Sequence, residues 1–140
     1  MTLQASTDDR FFVREFENCE LRPPFSHRDH LRLAYVHLTL AAVDDAYAAI
    51  KPSLLRYLAH HRVDPAKYHE TLTRAWLLAV RHFMAISSEA SSAEAFLQQH
   101  PRLLNSEIML KHYTSGRLFS EAARLDFLSP DRLPIPEYSN

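Results

Sequence analysis

The chain has 140 residues, 46% of them apolar and 24% charged, with a formal net charge of −1 and a pI near 6.7. That is enough chain for one domain with a real hydrophobic core, and it lacks the basic excess that a nucleic-acid binder needs. A single glycine, Gly116, weighs against β-hairpins, phosphate loops and Rossmann turns, which require glycine where φ is positive or backbones approach closely. An all-α domain is what these values leave.

One cysteine, Cys19, cannot close an internal disulfide, and no charged-then-apolar leader opens the chain. Both point to a cytoplasmic setting. No apolar run approaches the roughly 18 residues of a membrane span. The compositional excess is nine histidines.

In chain order, residues 1–9 are polar and expected to be loose. The apolar patch Phe11, Phe12, Val13 and Phe16 follows, read either as a short helix or as an extended arm. Pro23-Pro24 ends regular structure, since proline lacks an amide proton and restricts its predecessor. Ser26 with Asp29 three residues on resembles a capping box and opens a helix to about Ala42, with Leu31, Ala34, Tyr35 and Leu38 on one face. His27 lies within that face and His30 on its edge. A second helical stretch runs from Asp44-Asp45 to about Arg62, with Pro52 inside it predicting a kink or two short helices.

The clearest helix is expected from about Tyr68 to Ser87, where His69, Leu72, Thr73, Trp76, Val80 and Phe83 share one face. Glu70 falls on its flank, and Leu78, Arg74 and Arg81 further out. A short helix from Ser92 to His100 ends at Pro101. A further one, capped by Asn105 or Ser106, runs to about Tyr113 and breaks near Gly116. A last helix spans about Leu118 to Phe127, before a proline-rich tail over 129–140. The chain carries no internal repeat. The fold expected is a single-domain bundle of five to six helices.

The candidate chemistry sits at helix starts. His27 and His30 are three residues apart and so face the same way. With His69 from a second helix they form a candidate set for a divalent metal (Fe, Mn or Zn), in the manner of bundles whose facing helices project ligands inward. In that reading Glu70 is the fourth ligand or a general base, Tyr113 supplies a proton or hydrogen bond, Arg28 and Arg124 orient an anionic substrate, and Trp76 walls the pocket. Two other readings stand beside it. One is a metal-free acid/base or ligand-binding pocket for a small molecule. The other is an interaction module whose histidines only cap helices, with Phe11, Phe12 and Phe16 as an exposed patch. A homodimer through that patch is compatible with all three. His60 and His61 are expected to sit at a helix C-terminus, where imidazolium suits the dipole, and His82 and His100 in polar surroundings.

Five stretches, His27-Arg28-Asp29-His30-Leu31, Tyr68 to Trp76 (YHETLTRAW), His112-Tyr113-Thr114-Ser115, Ala122-Ala123-Arg124 and Pro130-Asp131-Arg132-Leu133-Pro134, together resemble a family of small bacterial all-helical proteins with HRxHL and YHETxTxxW motifs. The resemblance runs from Phe16 onward. It implies that these stretches belong to one module, and it carries no activity with it.

Overall fold

A computed structural model of the chain describes residues 2–136. Its helices are α1 (Thr7–Glu17), α2 (His27–Leu38), α3 (Val43–His60), α4 (Glu70–Ala85), α5 (Ala93–Gln99), α6 (Ser115–Leu118) and α7 (Glu121–Leu125). Short 3₁₀ turns at Pro65–Lys67, Pro101–Leu104 and Ser106–Lys111 link them. The only extended pairing among the described residues is a lone parallel bridge between Leu3 and Ala90. The domain is therefore all-α, as composition predicts. No helix of the described residues is long and apolar enough to cross a membrane.

The centre of the fold is the pair α2 and α4. Helix α2 buries Leu31, Leu33, Ala34, Tyr35, Val36 and Leu38, and α4 buries Ala75 through Val80 without a break. Helices apolar most of the way round are buried on most sides. Helices α1, α3 and α5 pack on α2, and α3 and α7 on α4. Leu78, expected on the outer side of its helix, is thus 4% exposed.

Residues 2–9 of the amino-terminal segment are held, not loose, and Met1 lies outside the described residues. Gln4 donates its backbone N–H to the carbonyl of Ala90 and accepts the hydroxyl of Tyr35 on its own carbonyl, at 2.9 and 2.7 Å. Ser6 and Asp9 then form a complete capping box that starts α1. The alternatives left open for the Phe11–Phe16 patch resolve to a helix, which buries Phe12 and Phe16 and leaves only Phe11 outside, 55% exposed. Phe11, Phe12 and Phe16 therefore do not form the expected exposed patch.

Asp9 is the polar hub of this end. At 2% exposure, its Oδ2 accepts the backbone N–H groups of Ser6 and Ala93 at 3.0 and 2.8 Å, and its Oδ1 takes Nε of Arg32 at 2.9 Å. One carboxylate so ties the starts of α1 and α5 to α2. Burial alone pushes its pKa up, but the Ser6 and Ala93 N–H groups and Arg32 outweigh that and hold it below the usual carboxylate value.

Helix α3 runs through Pro52 as one element. The carbonyl that Pro52 cannot bond is that of Ala48, and both residues are exposed. Water can therefore serve it, which removes the main penalty of an interior proline. Toward the C-terminus the helices are shorter than expected. Thr114 caps α6, Ser120 caps α7, and Phe119 lies between them. Gly116 sits inside α6 with ordinary φ and open space where a Cβ would be, so it breaks nothing. The described part of the tail is non-helical. Arg132 and Leu133 donate N–H groups to the carbonyls of His112 and Lys111, and Ile135 is buried. Residues 137–140 of the expected tail lie outside the described residues.

Asp9→Asn, which keeps the shape but weakens every bond that Asp9 accepts, is expected to lower unfolding free energy by about 2 kcal/mol in urea titration. The exposed neighbour Asp8, changed likewise, is expected to stay within about 0.5 kcal/mol of wild type.

Candidate functional site

A cavity of about 540 Å³ opens between the first turns of α2 and α4, the middle of α3 and the segment that leads into α6. Its size suits a small organic ligand. Phe25, Tyr57, Tyr68, Trp76 and Phe119 supply aromatic walls, and Leu54, Leu58, Leu72, Leu110 and Leu118 aliphatic ones. The polar groups on it are His27, His30, His69, Thr73, Ser26 and Ser106, with the exposed Lys67 and Glu107.

His27 and His69 line the cavity as the helical pattern predicts, and His30, expected on the edge of its face, lines it too; the first two are already engaged. His27, the first residue of α2, packs edge-on against Trp76, ring centroids 4.5 Å apart, and puts Nε2 2.8 Å from the carbonyl oxygen of Leu103. A carbonyl only accepts, so this nitrogen carries the proton. His69 is not in the first turn of α4 but caps it: Nδ1 accepts the N–H of Leu72 at 3.0 Å, and Nε2 donates to the carbonyl of Leu118 at 2.8 Å. An aromatic acceptor has taken the place usually held by Ser, Thr, Asp or Asn. Burial and Arg124 press its pKa down while the Leu118 bond raises it, and the net is downward.

His30 differs. Among the described residues no group hydrogen-bonds its ring, which stands edge-on to Phe25 at 6.1 Å. Burial, with a smaller contribution from His27, holds its pKa down at about 4. At neutral pH it is an uncharged imidazole with one donor and one acceptor facing the cavity. Tyr57, only 2% exposed, also packs on Phe25, ring centroids 5.7 Å apart, and its buried hydroxyl has no partner among the described residues. Neither sequence pattern nor motif pointed to Tyr57. It reads as a core position of α3, and only the lack of a partner singles it out.

For a metal the donor set falls short. His69 has committed both ring nitrogens and His27 one, and among the described residues no three His, Cys, Asp or Glu side chains converge to hold an ion.

The remaining candidates separate. Glu70 turns away from the cavity to Lys51 on α3, Oε1 to Nζ 2.5 Å, so it is a helix-to-helix ion pair; burial and Asp126 push its pKa up. Tyr113 is fully buried in the core and donates its hydroxyl to the carbonyl of Leu128 at 2.7 Å. Arg28 pairs with Glu94 and Arg124 with Glu121, both outside the cavity wall. Of the proposed substrate-binding residues only Trp76 lines the cavity. His100, expected in polar surroundings, packs between Phe83 and Phe96 and meets Ser87 Oγ at 2.6 Å.

The histidines have a common consequence for stability. His30, His37, His69 and His100 all have pKa values below the ordinary 6.5 in the folded chain. The unfolded chain therefore binds more protons, and stability is fully present above pH 6.5 and falls with acidification. For His30 the loss extends from about pH 6.5 to about pH 4, with a slope of at most about 1.4 kcal/mol per pH unit. Urea titrations over that range are expected to show a shallower slope for His30→Gln than for the wild type. Equal slopes would contradict the assignment.

No protein-family model matches the chain, and neither does a curated protein or a solved structure.

Proposed function

We propose that the protein binds a small, mainly apolar molecule in the cavity between α2, α3 and α4, without a metal, and that His30 is the group that reads it. The observation that carries this is an uncharged imidazole with no hydrogen-bond partner among the described residues, on a cavity walled mainly by aromatic and aliphatic side chains. His30 is only half-buried, so its ring nitrogens are met by solvent or by a ligand. In a ligand pocket, a few convergent polar groups in an apolar lining fix the orientation of the bound molecule. His27 and His69, whose Nε2–H groups are spent on main-chain carbonyls, are positioning residues in this reading. They hold the walls and leave His30 to the ligand.

The reading that has His27, His30 and His69 share a divalent metal finds less support, because His69 would have to give up either its cap or its carbonyl to coordinate. The interaction-module reading has a capping histidine in His69, but it loses its exposed patch with the burial of Phe12 and Phe16.

Trp76 is the sole tryptophan and lies on the cavity wall, so it reports binding directly. Titration with the uncharged fluorophore N-phenyl-1-naphthylamine is expected to transfer Trp76 emission to the probe in a saturable, one-to-one manner that EDTA does not alter. Leu110→Phe, which fills part of the cavity, is expected to weaken the probe by roughly tenfold or more. Binding that EDTA abolishes and a divalent ion restores would favour the metal reading, and no transfer at all would remove the pocket reading.

A further inference from the structure

We infer that His69 is a proton-released latch: as an imidazolium it can keep neither the cap of α4 nor the carbonyl of Leu118, so acid frees the Leu118–Phe119 side of the cavity from α4. As a control on a bound molecule this rests on the pocket reading above, whereas the opening itself is a property of the empty protein.

The two bonds of His69 demand one protonation state. Nδ1 accepts the N–H of Leu72 at 3.0 Å, and Nε2 donates to the carbonyl of Leu118 at 2.8 Å. A second proton has to enter at Nδ1, where it faces the Leu72 N–H, donor against donor, across a contact of hydrogen-bond length. The cap is lost as soon as the ring is charged. His27 has no such constraint, because its one bond is donated and a second proton leaves it intact. A charged His69 could hold the Leu118 carbonyl more tightly, but its surroundings favour its departure. It stands at the N-terminus of the 16-residue helix α4, the positive end of the dipole, and Arg124 adds repulsion from α7. The other titratable or charged groups on the cavity are His27 and His30 of α2, Tyr57 of α3, Lys67 and Tyr68 just before His69, and Glu107. Glu107 is the one anion in that set, and it is exposed; Glu70, next to His69, is held by Lys51. His69 is only half-buried, so the charged ring has a way to solvent. The net lowering of its pKa agrees with this balance.

What the latch holds has little stability of its own. Helix α6 has 4 residues and α7 has 5, too few for either to persist alone. The ends of this segment are tied elsewhere, Thr114 to Asp131, and Asp126 and Leu128 to Thr71. Between those ends, among the described residues, the hydrogen bond that joins it to α4 is the one from His69. Phe119, next to the latched carbonyl, lines the cavity and is still 65% exposed, so the wall here is one side chain thick with solvent behind it. Leu118 and Ala123 are buried and keep the segment seated. The change expected in acid is therefore a loosening of this wall, not unfolding of the domain.

The test is amide hydrogen exchange of the ligand-free protein, so its outcome does not depend on whether the pocket binds anything. It runs from about pH 7.5 down to the pH at which side-chain ¹⁵N shifts show His69 charged. The protection factors of the Leu72, Leu118 and Phe119 amides are expected to fall roughly fivefold or more across that change, the effect of losing one hydrogen bond. That of Leu77, in the buried middle of α4, is expected to stay constant. His69→Asn retains a capping acceptor without a titrating proton, and is expected to leave Leu72 protected at both ends of the pH range and Leu118 and Phe119 less protected at both. His30→Gln is expected to respond as the wild type does. Leu118 and Phe119 amides that keep their protection once His69 is charged overturn the latch, even if Leu72 loses its own. An equal fall at Leu77 overturns it in favour of global acid unfolding, and a wild-type response in His69→Asn overturns it in favour of another group. Where the variant fails to fold, the wild-type comparison of Leu118 and Phe119 with Leu77 decides alone.

Discussion

Two bonds from imidazole to main chain set the shape of this protein's cavity. His27 at the start of α2 and His69 at the start of α4 each donate Nε2–H to a carbonyl of the C-terminal third, at Leu103 and Leu118. That third contains only short helices and 3₁₀ turns, which have little stability of their own. Each bond is worth about 1 kcal/mol net, but the alternative is a buried carbonyl and a buried imidazole both without partners, which costs more. The two central helices therefore carry the wall opposite them at a fixed distance. Thr71 reinforces this from the other face of α4, donating to the carbonyl of Asp126 and accepting the N–H of Leu128.

The same arrangement keeps the ion pairs away from the cavity. The ion pairs Arg32–Asp9, Lys51–Glu70, Arg74–Asp44, Arg28–Glu94 and Arg124–Glu121 all lie on the outer seams between helices or at their ends, none of them on the cavity wall. Asp9, the most buried of the carboxylates, anchors the far end of α2 from inside a three-way junction. The cavity wall itself carries the exposed Lys67 and Glu107 beside His27, His30 and His69.

The helical class and the inward direction of His27 and His69 were legible because composition and the 3.6-residue period report directly on them. The capping box at Ser26 and Asp29 likewise follows from local chemistry alone. What a side chain bonds once it points inward is not local. The partners of His27, His69 and Asp9 lie 76, 49 and 84 residues away in the chain, and no spacing rule announces them. Glu70 shows the converse: it is adjacent to His69 in sequence, yet the first turn of α4 rotates it toward Lys51. Pro52 kept its helix because solvent covers the carbonyl it leaves unbonded, a matter of burial that the periodicity of α3 did not reveal. Tyr57 was invisible for a different reason. An unsatisfied hydroxyl has no sequence signature, and it becomes informative only when its neighbours are known.

The protonation and bonding of three imidazoles can be read together in long-range ¹H–¹⁵N spectra of the histidine side chains across a pH titration. His27 and His69 are predicted to be Nε2–H tautomers bonded to carbonyls, and His30 to stay neutral through pH 6 and titrate at about 4. A His30 that is protonated at pH 6, or a His69 with its proton on Nδ1 and Nε2 free to coordinate, would contradict that prediction.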